Sequence, residues 1–112
     1  MKRIIAIVRP QKMEPLKEAL LAADVGGLTV GQVTGCGKGH GWKEYYRGSE
    51  MFLNMVKNVK FELIVPDSKV EELIDLICDV ASTGEVGDGK VFVSPVEEVV
   101  RIRTRERGEK AV

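Results

Sequence analysis

Residues 83–93 read TGEVGDGKVFV. Gly84 to Lys90 spells G-x-x-x-x-G-K, the glycine-rich pattern that cradles phosphates, but Val91 stands where a P-loop needs Ser or Thr. Upstream, Val70, Leu73, Ile74, Ile77 and Ala81 recur at helical spacing; downstream, KVFVSPV reads as a strand. A P-loop leaves a strand and enters a helix, so that the helix N-terminus faces the phosphates. Here the order is helix, loop, strand, and the Walker reading fails. A calcium loop fails as well, because Asp88 lacks further carboxylates at the required offsets.

Working back along the chain, VKFELIVP alternates Val59, Phe61, Leu63 and Val65 against Lys60 and Glu62, the pattern of a strand with one face on the core. The first half repeats this order. KRIIAIVRP is an apolar run ended by Pro10. Met13, Leu16, Leu20 and Ala23 then share one helical face, Gly26-Gly27 stops that helix, and LTVGQVTG forms the next strand. A βαβ unit followed by a second βαβ unit predicts an α+β, ferredoxin-like sandwich with both helices on one face of an antiparallel sheet. Ile4, Ile5, Ala6, Ile7 and Val8 are apolar on both sides of their strand. The face away from the helices is therefore expected to be covered by further copies of the chain in a closed homo-oligomer.

Between the halves lies GKGHGWKEYYRGSEMFLNMVKN, about 37–58, which the fold does not require. A loop of that length is either a functional arm or a wrong assignment. Trp42, Tyr45, Tyr46, Arg47 and Phe52 beside glycines suit a partner-docking loop. The alternatives are that they pack on their own subunit, or that Phe52–Val56 forms a short amphipathic turn.

At 112 residues, with 17 basic against 17 acidic side chains, the chain is one domain, 1–112, and its neutral balance argues against a general nucleic-acid binder. No apolar run reaches membrane-spanning length, and residues 1–10 do not read as a signal peptide. Cys36 and Cys78 lack metal-ligand spacing and His40 is the sole histidine, so a cytoplasmic protein with free thiols and no metal site is expected.

Gly84, Gly87 and Gly89 permit positive φ and leave backbone N–H groups for an anion nest, with Lys90 at its rim. By itself that suits a plain turn equally well. In the tail, RIRTRERG puts Arg101, Arg103 and Arg105 on alternate positions, hence on one side if the piece is extended. Nest, lysine and arginine stripe together point to polyphosphate binding. Asp88 opposes it unless its side chain turns away and only its backbone is used.

These residues make the chain similar to the PII signal-transduction proteins. The resemblance rests on TGEVGDGKVFV (83–93), YRGSE (46–50), RIRTRERG (101–108) and the order βαβ, long loop, βαβ. It implies a homotrimer of non-enzymatic sensors, with ATP and ADP competing for clefts between subunits and Mg²⁺ accompanying ATP. Carried over by position, Gly87, Asp88, Gly89 and Lys90 form the phosphate loop (about 83–90), and Arg101 and Arg103, in a basic strand or tail at 99–112, contact phosphates. Gly35, Gly37 and Lys38 belong to the loop base. Ile7, Thr29, Glu62 and Ile64 line the adenine and ribose pocket, although Glu62 as an alternating polar residue also suits solvent. The 37–58 segment matches the target-docking T-loop, with Trp42, Tyr45, Tyr46, Arg47, Ser49, Glu50 and Met51. Partners implied are an ammonium channel, which would recruit the chain to a membrane, or an enzyme or regulator of nitrogen metabolism.

Four departures qualify the resemblance. Gly39 replaces the glutamine that ligates Mg²⁺ in many relatives, and Lys57-Asn58 stands where a lysine at 58 pairs with 2-oxoglutarate. A lost charge-assisted contact of ~1.5–3 kcal/mol weakens binding about 10- to 100-fold, so the 2-oxoglutarate response is expected to be weak or absent. Rescue by His40 or Lys57 is the alternative. Met51 replaces the tyrosine that some relatives uridylylate, and a thioether excludes that modification. Ser49 matches a seryl position phosphorylated in some relatives, an unmodified serine being the simpler reading. Lys38 replaces an arginine and loses its fork. Two other readings stay open: a sensor tuned to ADP or AMP with a different metabolite, and a slow ATP-hydrolysing protein, for which no placed base or nucleophile is evident.

Overall fold

The computed structural model describes residues 1–36, 42–46, 49–53 and 55–112, with side chains for those outside 37–54. A 4-stranded antiparallel sheet carries two helices on one face. Its strands are β1 (Lys2–Val8), β2 (Thr29–Gly35), β5 (Val56–Val65) and β6 (Gly89–Pro95), in the order β2-β5-β1-β6. The helices are α1 (Met13–Ala22) and α2 (Val70–Ala81). This is the ferredoxin-like arrangement anticipated from the repeated βαβ pattern.

The period-2 alternation decides which face is which. Ile4, Ala6 and Val8 of β1 and Val59, Phe61, Leu63 and Val65 of β5 point to the helices and are buried. They meet Leu16 and Leu20 of α1 and Val70, Leu73, Ile77 and Ala81 of α2 in one core. Each large side chain so removed from water contributes about 1.5–3 kcal/mol.

Helix α1 ends before Gly26-Gly27. Ala23 caps it and Asp24 takes φ 58, a left-handed conformation that aspartate tolerates better than most side chains. At the start of α2, the ammonium of Met1 lies 2.9 Å from Asp67 Oδ1 and hydrogen-bonds to it, holding that carboxyl below its usual range. The same residue's carbonyl accepts from Val96 N at 3.1 Å, so the chain's first residue ties β6 and α2 together.

The opposite face carries Arg3, Ile5 and Ile7 of β1 beside Glu62, Lys60 and Ile64 of β5, with Lys90 and Phe92 of β6 flanking them. Among the described residues no layer covers it: Ile5 and Ile7 are half-buried and Phe92 is 53% exposed.

Two segments take shapes that the sequence pattern left open. The middle segment is not structureless: β3 (Trp42–Tyr46) and β4 (Ser49–Leu53) pair as an antiparallel hairpin, with Tyr45 opposite Glu50. Phe52 belongs to β4 rather than to an amphipathic turn, and β5 takes in Val56 to Asn58. The tail is not extended. Residues 102–104 form a turn closed by the Val100–Arg107 bridge, with Arg105 N donating to Arg101 O at 2.7 Å. The arginine stripe of an extended strand does not form.

Candidate functional site

The glycine-rich stretch is shaped by its own aspartate. Thr83 and Gly84 donate their backbone N–H groups to Asp88 Oδ2 at 2.7 and 2.9 Å, and the Thr83 hydroxyl donates to Oδ1. Glu85 N donates back to Thr83 Oγ1 at 3.2 Å. Hydrogen bonds from the Thr83 hydroxyl and then its backbone N–H, with help from Arg9 and Gly84 N–H, hold the Asp88 carboxyl well below the usual carboxylate range. The side chain therefore turns back into the loop, and Asp88 presents only its backbone outward. One consequence revises the nest: the Gly84 N–H is occupied internally, which leaves the Gly87–Lys90 end for an outside anion.

Glycine is required here for two reasons. Gly84, Gly87 and Gly89 take φ of 85°, 103° and 107°, which side chains rarely adopt. At Gly89 there is also no room, since a Cβ would overlap the Ile7 carbonyl oxygen and stand 2.8 Å from its carbon. Gly89 pairs with Val8, and Lys90 with Ile7, so the loop's end is laid directly along β1.

Beside it opens a cleft of about 780 Å³, lined by Ile7, Gly35, Gly87, Gly89, Lys90 and Phe92 together with Arg9, Cys36, Val56, Lys57 and Asn58. Its volume suits a small-molecule ligand. Among the described residues, arginine and lysine line it and no aspartate or glutamate does, the Asp88 carboxylate being drawn into the loop. The described part of its wall is therefore basic. Cys36 is an exposed free thiol at its wall rather than the small packed residue its size suggests.

Thr29, Glu62 and Ile64 line a different hollow of about 550 Å³, with Gly26, Gly27, Val99 and the C-terminal Val112. Thr29 lies opposite Glu62 in the β2–β5 register. The Glu62 carboxylate lies partly exposed on the open face and is ion-paired with Arg3.

Arg101 and Arg103 line neither cleft. Arg101 bonds within the tail, 3.3 Å from Glu106 Oε1 and 3.1 Å from the Lys110 carbonyl. Gly37, Lys38, Gly39, His40 and Arg47 lie outside the described residues. Trp42, Tyr45, Tyr46, Ser49, Glu50 and Met51 are placed on the β3–β4 strands by backbone alone.

Arg9 escaped the sequence reading. It stands at the end of β1 before Pro10 and donates through Nη2 to the Val86 carbonyl at 2.8 Å and through Nε to Asp88 Oδ1 at 3.1 Å. The available signal was a cation ending a buried strand, which does not say which loop it will meet. Among the described residues no group of three or more His, Cys, Asp or Glu is placed to hold a metal ion, and no helix is long and apolar enough to cross a membrane.

With this geometry in place, comparison with known proteins gives one family. The family model for nitrogen regulatory protein P-II matches residues 1–106. A nitrogen regulatory protein P-II from Microchaete diplosiphon is 47% identical over 112 residues, covering 100% of both chains. The P-II 2 protein of Methanothermobacter thermautotrophicus is 47% identical over 112 residues, covering 100% of this chain and 97% of its own. A P-II protein from Azospirillum brasilense is likewise 47% identical over the full length of both.

Proposed function

Because this chain belongs to the nitrogen regulatory protein P-II family, we propose that it is a signalling regulator of nitrogen metabolism that senses adenine nucleotides. ATP and ADP compete for one site, and the nucleotide bound selects the conformation that the 37–58 arm offers to a target protein. The observation that carries this reading is the cleft beside β1: among the described residues cations and glycine backbone line it, and the Asp88 carboxylate is turned out of it. A polyphosphate is the ligand class that such a surface favours.

The residues divide the work. Lys90 supplies a mobile charge, and Gly87 and Gly89 let backbone N–H groups approach the phosphates without a Cβ between them. Thr29, Glu62 and Ile64 would hold the base and sugar. One chain keeps these two sets in separate hollows of its open sheet face. That division supports a site completed between copies in a homotrimer, with Arg101 and Arg103 delivered from the neighbouring tail. The incompletely buried apolar side chains Ile5, Ile7 and Phe92 on the open face support the same assembly.

Gly39 has no side chain to ligate Mg²⁺, so the metal enters as the companion of the ATP phosphates. Asn58 lines the cleft at the position where the resemblance implies a lysine for 2-oxoglutarate, which supports a nucleotide sensor with weak carbon input; Lys57 in the same wall is the cation that would restore it. A P-II-like sensor using ADP or AMP with another small anion is the second reading, favoured by Lys57 and Asn58 in the wall of the same cleft.

Calorimetric titration with ATP and with ADP, in Mg²⁺ and with or without saturating 2-oxoglutarate, tests both readings. The expected result is binding of both nucleotides with ATP affinity unchanged by 2-oxoglutarate. Strong tightening by 2-oxoglutarate would overturn the lost carbon input, and absence of nucleotide binding would overturn the function.

A further inference from the structure

We infer that Arg9 is the positioning residue of the 83–90 loop, a latch that ties the loop to the end of β1 and sets Gly87, Gly89 and Lys90 in the cleft before any anion arrives. The inference deepens the nucleotide reading above and rests on it for the identity of the ligand.

The geometry is that of a two-point clamp. The Arg9 guanidinium holds the Val86 carbonyl on one side and the Asp88 carboxylate on the other. Residues 86 and 88 flank Gly87, whose φ of 103° leaves the backbone there easily displaced unless both neighbours are anchored. Asp88 in turn gathers Thr83 and Gly84, so a single cation at the end of a sheet strand orders the whole turn out of α2. The planar fork matters: Nε and Nη2 point to different acceptors at once, which a lysine ammonium on a flexible stem does less well. The clamp also settles the cleft's charge. With Arg9 paired to Asp88, the cations of the described wall left to an entering anion are Lys57 and Lys90. Loop order fixed in advance lowers the cost of binding at the moment the ligand enters.

Two measurements on full-length protein test the latch. The first needs no ligand: NMR amide exchange at Thr83 and Gly84 in wild type, Arg9→Met and Arg9→Lys. Faster exchange in Arg9→Met, partly restored in Arg9→Lys, is expected; equal exchange in all three would overturn the proposal. The second is ATP titration of Arg9→Met, Asp88→Asn and the double variant. Loss of a charge-assisted contact predicts that each single variant binds ATP about tenfold more weakly, and that the double variant is no weaker than either. An additive loss would mean that Arg9 touches the nucleotide directly, and it would overturn the positioning role. A melting temperature of Arg9→Met equal to that of wild type separates loop positioning from general damage, whereas Asp88→Asn, which loses charge-assisted bonds to Thr83 and Gly84, is expected to melt lower. If wild type binds no ATP, the nucleotide reading fails, while accelerated exchange in Arg9→Met still upholds the latch itself.

Discussion

The carbonyl of Ile7 occupies the space that a side chain at Gly89 would need. A Cβ there would overlap the oxygen and stand 2.8 Å from the carbon, on a backbone already at φ 107°. Gly84 shares the left-handed backbone, at φ 85°, but has nothing within 4 Å of the same added atom. The two positions separate strain from collision. Gly84→Ala should cost ~1–2 kcal/mol, the strain alone. Gly89→Ala should cost about 3–5 kcal/mol, since β1 or β6 must also shift. Urea unfolding at one fixed protein concentration measures both, and equal costs would refute the close packing of β6 on β1 at that point.

Asp88 makes part of the loop's stability depend on acid. Its folded carboxyl lies below the ordinary value of 3.8, chiefly through the hydrogen bonds from Thr83. A depressed carboxylate contributes stability that is present above its unfolded value and fades as pH falls below it. The advantage of wild type over Asp88→Asn should therefore be constant near neutrality and shrink below about pH 4. Parallel melting curves from pH 7 down to the acid range check this, and an advantage that grows in acid would contradict the observed hydrogen bonds.

Arg105 holds φ 61° at the end of the tail turn, a conformation costing an L residue about 1–2 kcal/mol. Glycine avoids most of that strain but adds freedom to the unfolded chain, at roughly 0.5–1 kcal/mol. Arg105→Gly should leave the protein equally stable or stabilise it by up to about 1 kcal/mol. Thermal unfolding reads the sign, and a clear loss of stability would show that the Arg105 side chain makes a contact that outweighs its backbone.

Phe92 is 53% exposed on the sheet's open face, on edge strand β6 beside Ile5 in the β1–β6 register. If further copies cover this face, Phe92→Glu buries a charge at the interface and should reduce the mass in solution toward that of a single chain. Light scattering on both proteins at matched concentrations gives the answer. A wild-type mass equal to one chain would remove the proposed assembly and with it the completed nucleotide site.

The fold was legible because its signals are local and repeated. Val59, Phe61, Leu63 and Val65 announce a strand by alternation, and Val70, Leu73, Ile77 and Ala81 announce a helix by spacing. The Gly84-to-Lys90 stretch showed at once that it was a glycine-shaped turn, because positive φ selects the residue type. The hairpin in the middle segment was not legible: Trp42–Tyr46 and Ser49–Leu53 are short, and pairing between them is what makes each a strand. The tail misled for a similar reason, since alternate arginines imply a common side only if the backbone stays extended, and a turn at 102–104 breaks that condition.

What the amino-acid order determined by itself is the sandwich of two βαβ halves, the core-facing residues and the place of the glycine loop. Each follows from a periodicity or from a backbone angle available to one residue type. Only the tertiary structure decided where the charges go. Asp88 reads in the sequence as a carboxylate opposing an anion nest; in the fold it is bound by Thr83, Gly84 and Arg9 and kept off the cleft wall. Arg9 lies 79 residues from Asp88 along the chain. Partners so far apart meet only when the sheet brings the end of β1 beside the turn that follows α2.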